Sequence, residues 1–450
     1  MRRVFGLCIL TSIVFCFCTD MAAAEANEKG TARAKQLLIQ AVRLGSELSP
    51  PGTQIDLYRT IAGELAAMGE MSEAVQLSQI FDDKRGRDDV LLWAVRGSLR
   101  SKRVGQAVEM ANSLVEDFQQ GEALGAVARF HAGNRDFANA LQALSNIRFE
   151  PLAEYGLISI VPLMIQTGHL EDAVQAALKL DSEHSKGQVI ASIVEEQFRL
   201  GNTEAARETA ISFTSKINDQ WPILALSNSQ AHAGMIAEAK KTASQLNEQL
   251  HFFALGHIAE AVAKSGEVSQ ALNLASSIPS PLHRYEDSPT TRYRTIRQIA
   301  QIQAQRGDYT GALSTALTIP STMSACDICE SLRGDAMGEI GKAQAERGDY
   351  DLAIRTAERL KKSTAYYGDE VIKAVASAYS RHGQIEKALK MCKRFRSGDY
   401  RAKIYQEIAE EWFKRGDSEK AFIWASKLPS RVEKAYALVG IARGMVRYDK

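Results

Sequence analysis

The chain has 450 residues, of which 45% are hydrophobic and 24% charged, the make-up of a folded protein with a water-facing surface. Its formal net charge of +1 gives no global attraction for nucleic acid or anionic lipid, so neither is expected as a partner. Three of its 6 cysteines fall within the first 18 residues, and three more are too few for a disulfide-stapled framework, so apolar packing must hold the fold.

Residues 1–24 read as a secretory signal peptide. Arg2 and Arg3 give a basic start, Val4 to Cys18 is an apolar run, and Ala22-Ala23-Ala24 offers a small-residue cleavage site. The run is shorter than the roughly 20 apolar residues that span a bilayer. The expectation is an exported protein, periplasmic or secreted, without stable membrane insertion once the signal is cleaved. Residues 25–49 follow as an N-terminal capping segment, with an amphipathic helix over 31–48.

From 50 to 431 one phrase repeats. Alanines recur at 74, 107, 140, 173, 206, 239, 271, 312, 353, 388 and 421, mostly 33 residues apart. Around Gly266, apolar residues at 255, 258, 259 and 262 have helical spacing, and glycine ends that helix because it tolerates the left-handed conformation. A shorter helix follows, with Ala271, Ala275 and Ile278 as its inward stripe, and Pro279 stops it. The spacing predicts an all-α fold, an α-solenoid of about eleven helix-turn-helix repeats stacked into a superhelix, because one helix pair cannot bury its apolar face alone. Pro162 falls inside a first helix and predicts a kink there. Two eight-residue insertions, near 279–291 and 320–333, are expected to form one lobe. Residues 432–450 repeat only a first helix and read as a C-terminal cap.

Ala300, Gly307 and Ala312, with Gly307-Asp308-Tyr309 and Gly348-Asp349-Tyr350, give these units a resemblance to the tetratricopeptide repeat family, over about residues 50–450. The early tryptophan is missing and the second helix is shorter, so the array resembles a divergent member. The resemblance implies protein–protein interaction through a groove lined by first helices. The matching positions are Arg294, Arg297, Gln301, Lys342, Lys373, Ser377, Lys403 and Gln406, with Glu410 beside them. Basic residues dominate that set, so an acidic peptide or protein segment, or a free C-terminal carboxylate, is the expected partner of this scaffold.

Cys326-Asp327-Ile328-Cys329, in the second insertion, has the spacing of a small disulfide or of half a metal site. No histidine follows to complete a metal set, so a disulfide or free thiols are favoured and no metal or cofactor is expected. Cys392 stands at a small-residue position of a second helix and reads as a buried substitute for alanine. Phosphate-binding loops, nucleophile elbows and zinc-protease motifs are missing, and the 8 histidines show no i, i+3 or i, i+4 pairing. No catalytic residue is assigned. The alternative function is a cell-envelope enzyme, acting on peptidoglycan or thiols from the insertion lobe.

Overall fold

The computed structural model describes residues 30–46, 51–279, 288–321, 328–360, 364–395 and 398–448. The expected signal peptide, Cys326 and part of each expected insertion lie outside them. The described residues are helical with no strand, and the chain is an α-solenoid. Residues 30–45 form α1. First helices then alternate with shorter second helices, from α2 (Pro51–Met68) and α3 (Met71–Ser78) to α22 (Gly398–Lys414), α23 (Ser418–Ser426) and a lone first helix, α24 (Arg431–Tyr448).

The stripe read from the sequence is the core. All eleven anchor alanines are fully buried, at 0% exposure. The positions four residues later are buried too, including the exceptions Ser78, Leu144 and Cys392. Seven residues after the anchor, Leu114, Ile278 and Ile319 are buried, whereas Phe81, Leu180, Phe213 and Leu428 are only partly covered. Small residues one turn apart let the paired helices approach, and the large residue closes the far end.

The turn five residues before each anchor is left-handed in every unit. Glycine occupies it at 69, 168, 201, 234, 266, 307, 348, 383 and 416, but Lys102 (φ 60°) and Arg135 (φ 61°) hold the same conformation. The turn is a helix C-cap in which the next residue donates its N–H back across six residues, as in Glu70 to Leu65 (2.9 Å), Asp308 to Gln303 (2.9 Å) and Asp417 to Trp412 (2.8 Å). An arginine beside the turn reaches the preceding repeat. Arg103 donates to the Ala67 carbonyl (2.9 Å), Arg306 to that of Lys264 (2.7 Å) and Arg415 to that of Arg381 (2.8 Å), satisfying carbonyls that a helix end leaves free. Within repeats, Thr242 donates to Gln230, Thr315 to Gln303 and Thr356 to Gln344, at 2.7, 2.7 and 2.8 Å, joining second helix to first.

The chain divides into two compact units, one of residues 1–110 with 376–450 and one of residues 111–375. In the first unit the two ends of the chain pack together. Arg443 of α24 donates to Glu64 of α2 (2.8 Å), Lys403 of α22 meets Asp56 of α2 (3.3 Å), and the Arg33 guanidinium of α1 lies 4.8 Å from the centre of the Phe422 ring of α23. Gly97 of α4 (Lys84–Arg100) lies where a Cβ would run into the Gly63 carbonyl of α2, and Gly440 of α24 stands likewise against Gln406 of α22. Glycine there permits the close approach of α2 to α4 and of α22 to α24.

The second unit runs through α6 (Asp117–Gly133), α8 (Glu150–Gln166), α10 (Glu183–Arg199), α12 (Trp221–His232), α14 (Glu248–Ser265), α16 (Ser288–Gln305) and α18 (Cys329–Glu346), with second helices between them. Neighbouring first helices pack directly on one another. α8 continues through Pro162 as one helix. α16 and α18 begin at Ser288 and Cys329, within the ranges over which the two insertions were expected.

Candidate functional site

The side of the first helices that faces away from their second helices is laid out in columns, because one position per repeat recurs on successive helices. Six residues before each turn glycine stand Glu195 on α10, Asn228 on α12, Glu260 on α14, Gln301 on α16 and Lys342 on α18.

Most of the candidates read from the sequence are engaged with carboxylates. Arg297 pairs with Asp335 (2.9 Å), Gln301 donates to Glu339 (3.3 Å), Lys342 pairs with Glu339 (2.8 Å), and Lys373 of α20 (Ala365–Arg381) lies 3.9 Å from Glu370. Arg294 is exposed. In the first unit Ser377 donates to Glu407 (2.6 Å), Lys403 meets Asp56, and Gln406 is buried between helices rather than presented to a ligand. Glu410 pairs with Arg447 (2.7 Å). The expected basic strip is therefore a mixed, internally paired one. Acidic residues one turn away, or on the next helix, pair with several of its members.

Cys329 is buried at the start of α18 and disulfide-bonded. Its expected partner, Cys326, lies outside the described residues. Cys392 is free and fully buried, and burial pushes its thiol up to about 12. Among the described residues no group of histidine, cysteine and acidic side chains is arranged to hold a metal ion.

A recess of about 520 Å³ opens between α10, α12 and α14, lined by Glu195, Phe198, Arg199, Asn228, Ser229, His232, Ala233 and His257. A larger cavity of about 620 Å³ lies along α7 (Phe137–Ser145), α8 and α9 (Leu170–Leu178). Two of the polar groups lining that larger cavity are engaged within the protein. Arg148 pairs with Asp117 (3.0 Å) and donates to the Leu114 carbonyl (2.8 Å), and Glu150 accepts the N–H groups of Asp181 and Ser182 (3.0 and 2.9 Å).

The α10–α12–α14 recess is different. The Asn228 side-chain oxygen is buried without a hydrogen-bond partner, in a residue only 9% exposed. Glu195 is exposed as a residue, yet the protein around its carboxylate displaces water and raises its pKa. The same surroundings lower the pKa of His232, helped by the Lys264 charge. They also lower that of His257, against the opposing pull of Glu260, whose carboxylate is 3.8 Å from Nδ1 of His257. Both imidazoles are thus biased to the neutral form. Arg199 is held by Glu196, with Nε donating at 2.8 Å, and Lys264 by Glu260 at 2.7 Å, which leaves Glu195 as the carboxylate of the recess wall without a cation of its own among the described residues.

Reading along the chain missed this recess because its residues are one or more repeats apart. The signal present was the column itself, which carries Glu195, Asn228 and Glu260 in consecutive units.

No known family profile matches the chain, and no curated protein matches it in sequence. Among solved structures it is similar to Ton1535 from Thermococcus onnurineus NA1, with 15% identity, a TM-score of 0.23, and coverage of 84% of this chain and 97% of that one. It also overlaps a chain of the structure in which Kap95p binding induces the switch loops of RanGDP to adopt the GTP-bound conformation. There the identity is 12%, the TM-score 0.28, and the coverage 93% of this chain and 63% of the other. A circular tandem repeat protein overlaps with 12% identity and a TM-score of 0.13, over 92% of this chain and 83% of that one. These overlaps are low in identity and in superposition, and the architecture rests on the chain's own helices, which form an all-α repeat solenoid.

Proposed function

We propose that this chain is an exported interaction scaffold that holds a segment of a protein partner along its first-helix face, with the α10–α12–α14 recess as the docking point. The observation that carries this reading is the unpartnered Asn228 oxygen, in a recess that Glu195 also lines without a cation of its own. Unsatisfied polar groups cost stability, and a recess that retains them is suited to a ligand that supplies the missing partners. The signal-like residues 1–24 support export, with the periplasm as the destination. The repeat phrase supports a divergent relative of tetratricopeptide proteins.

Site-specific photocrosslinking in the native envelope tests this. Benzoylphenylalanine placed at Ala233, in the recess wall, is compared with the same group at exposed Lys241 on α13 (Ile236–Ala243). A discrete protein adduct from Ala233 alone, competed by excess unlabelled chain, is the expected result. Equal adducts from both positions, or none from either, would contradict the reading.

A further inference from the structure

Resting on that docking role, we infer that the recess between α10, α12 and α14 receives an arginine side chain of the partner, held by Glu195 and Asn228. Two groups that line the recess offer hydrogen-bond acceptors. Glu195 brings a carboxylate with no cation beside it, and Asn228 brings an amide oxygen with no donor. That oxygen is buried in the wall, and the broad χ2 well of asparagine leaves its amide free to reorient. Neutral His232 and His257 each keep a ring nitrogen lone pair and impose no positive charge on an incoming cation. Phe198 adds an aromatic wall, half-buried against the core, on which a planar cation can lie.

The guanidinium group fits this set better than other side chains. It has five donors in a plane and no acceptor, so it can engage a carboxylate through two N–H groups and still reach an amide oxygen. It is weakly hydrated and stacks on aromatic faces, whereas an ammonium is a compact, strongly hydrated charge. An acidic segment would bring a like charge up to the Glu195 carboxylate. The one cation in the wall, Arg199, is already engaged by Glu196.

The test uses the mature chain and a capped Gly-Gly-Arg-Gly-Gly peptide. Its citrulline counterpart has the same shape without the charge, and its glutamate counterpart reverses the charge. Titration calorimetry is expected to show the arginine peptide binding at least tenfold more tightly than either. Glu195→Gln should bring the arginine-to-citrulline ratio close to one, and Asn228→Leu should weaken the arginine peptide at least threefold. Circular dichroism and thermal melting verify that both variants fold, and Glu195→Gln is expected to be no less stable than the parent, since it removes a poorly solvated charge. Equal affinity for the arginine and citrulline peptides, no binding of either, or an arginine preference that survives Glu195→Gln would each overturn the assignment. The Ala233 photoadduct separates the two ideas. If it persists while arginine shows no advantage, the docking role stands and the arginine assignment falls.

Discussion

Glu64 and Arg443 lie 379 positions apart in the sequence, and Arg443 Nε donates to Glu64 Oε1 at 2.8 Å. Arg100 donates to the same Oε1 at 3.1 Å. The contact joins the last helix to the first repeat. α24 is buried along most of its length, from Ala435 to Met445. α24 packs on α22 and also meets α2.

Arg443→Ala should therefore act at the opposite end of the chain. Glu64 keeps Arg100, so the cost is about 1–3 kcal/mol, that of a charge-assisted hydrogen bond, and not that of a fully orphaned charge. Hydrogen exchange should show faster exchange in α2 as well as α24. Exchange confined to α24 would mean that the ends do not support one another.

The turn positions give a second set of expectations. Lys102 and Arg135 hold the conformation that nine glycines hold elsewhere, which costs an L-residue roughly 1–2 kcal/mol. Lys102→Gly and Arg135→Gly should each stabilise the chain by up to about 1 kcal/mol, since the added freedom of unfolded glycine offsets part of the gain. Gly168→Ala should lose about 1 kcal/mol through the backbone alone, because a Cβ there meets nothing within 4 Å. Denaturant melts of the three variants measure all of these shifts.

Much of the fold was legible because a solenoid writes its core at a fixed offset. Ala206 and Ala239 could be assigned to the core from spacing alone, and both are fully buried. The glycine rule was less complete, since side chains at 102 and 135 carry the turn at a cost that one sequence does not display. The pairing of Arg297 with Asp335 was invisible, because the partner lies one repeat on and at a different column position. The recess was hidden for the same reason. Glu195, Asn228 and His257 are neighbours only once repeats stack, and column reading extended over the whole array, instead of its last four units, would have placed Glu195 beside Asn228.

His232 and His257 supply a pH expectation. Both have folded pKa values below the usual 6.5, chiefly through burial, with Lys264 lowering and Glu260 raising them. The unfolded chain therefore takes up protons first on acidification. Their contribution to stability is fully present above about pH 6.5 and is lost as pH falls through that value toward the folded pKa values. Imidazole proton shifts followed by NMR should give midpoints below 6.5 for both. A double His232→Gln, His257→Gln variant should lose less stability than the parent between pH 7 and 5.

Cys392 should be chemically silent. Its thiol is fully buried and pushed up to about 12, so almost no thiolate exists near neutral pH. Iodoacetamide should label it only after denaturation, at the rate of global unfolding. Rapid labelling of the native chain would show that the repeat around α21 (Ile385–Cys392) opens locally.

Hydrogen exchange of the mature chain, alone and with its photocrosslinked partner purified from the envelope, puts the docking role to its sharpest trial. Added protection should concentrate on α10, α12 and α14, around Glu195, Asn228 and His257. Protection confined instead to the second helices α11 (Thr203–Ile217), α13 and α15 (Val268–Ser277) would place the partner on the other face and contradict it.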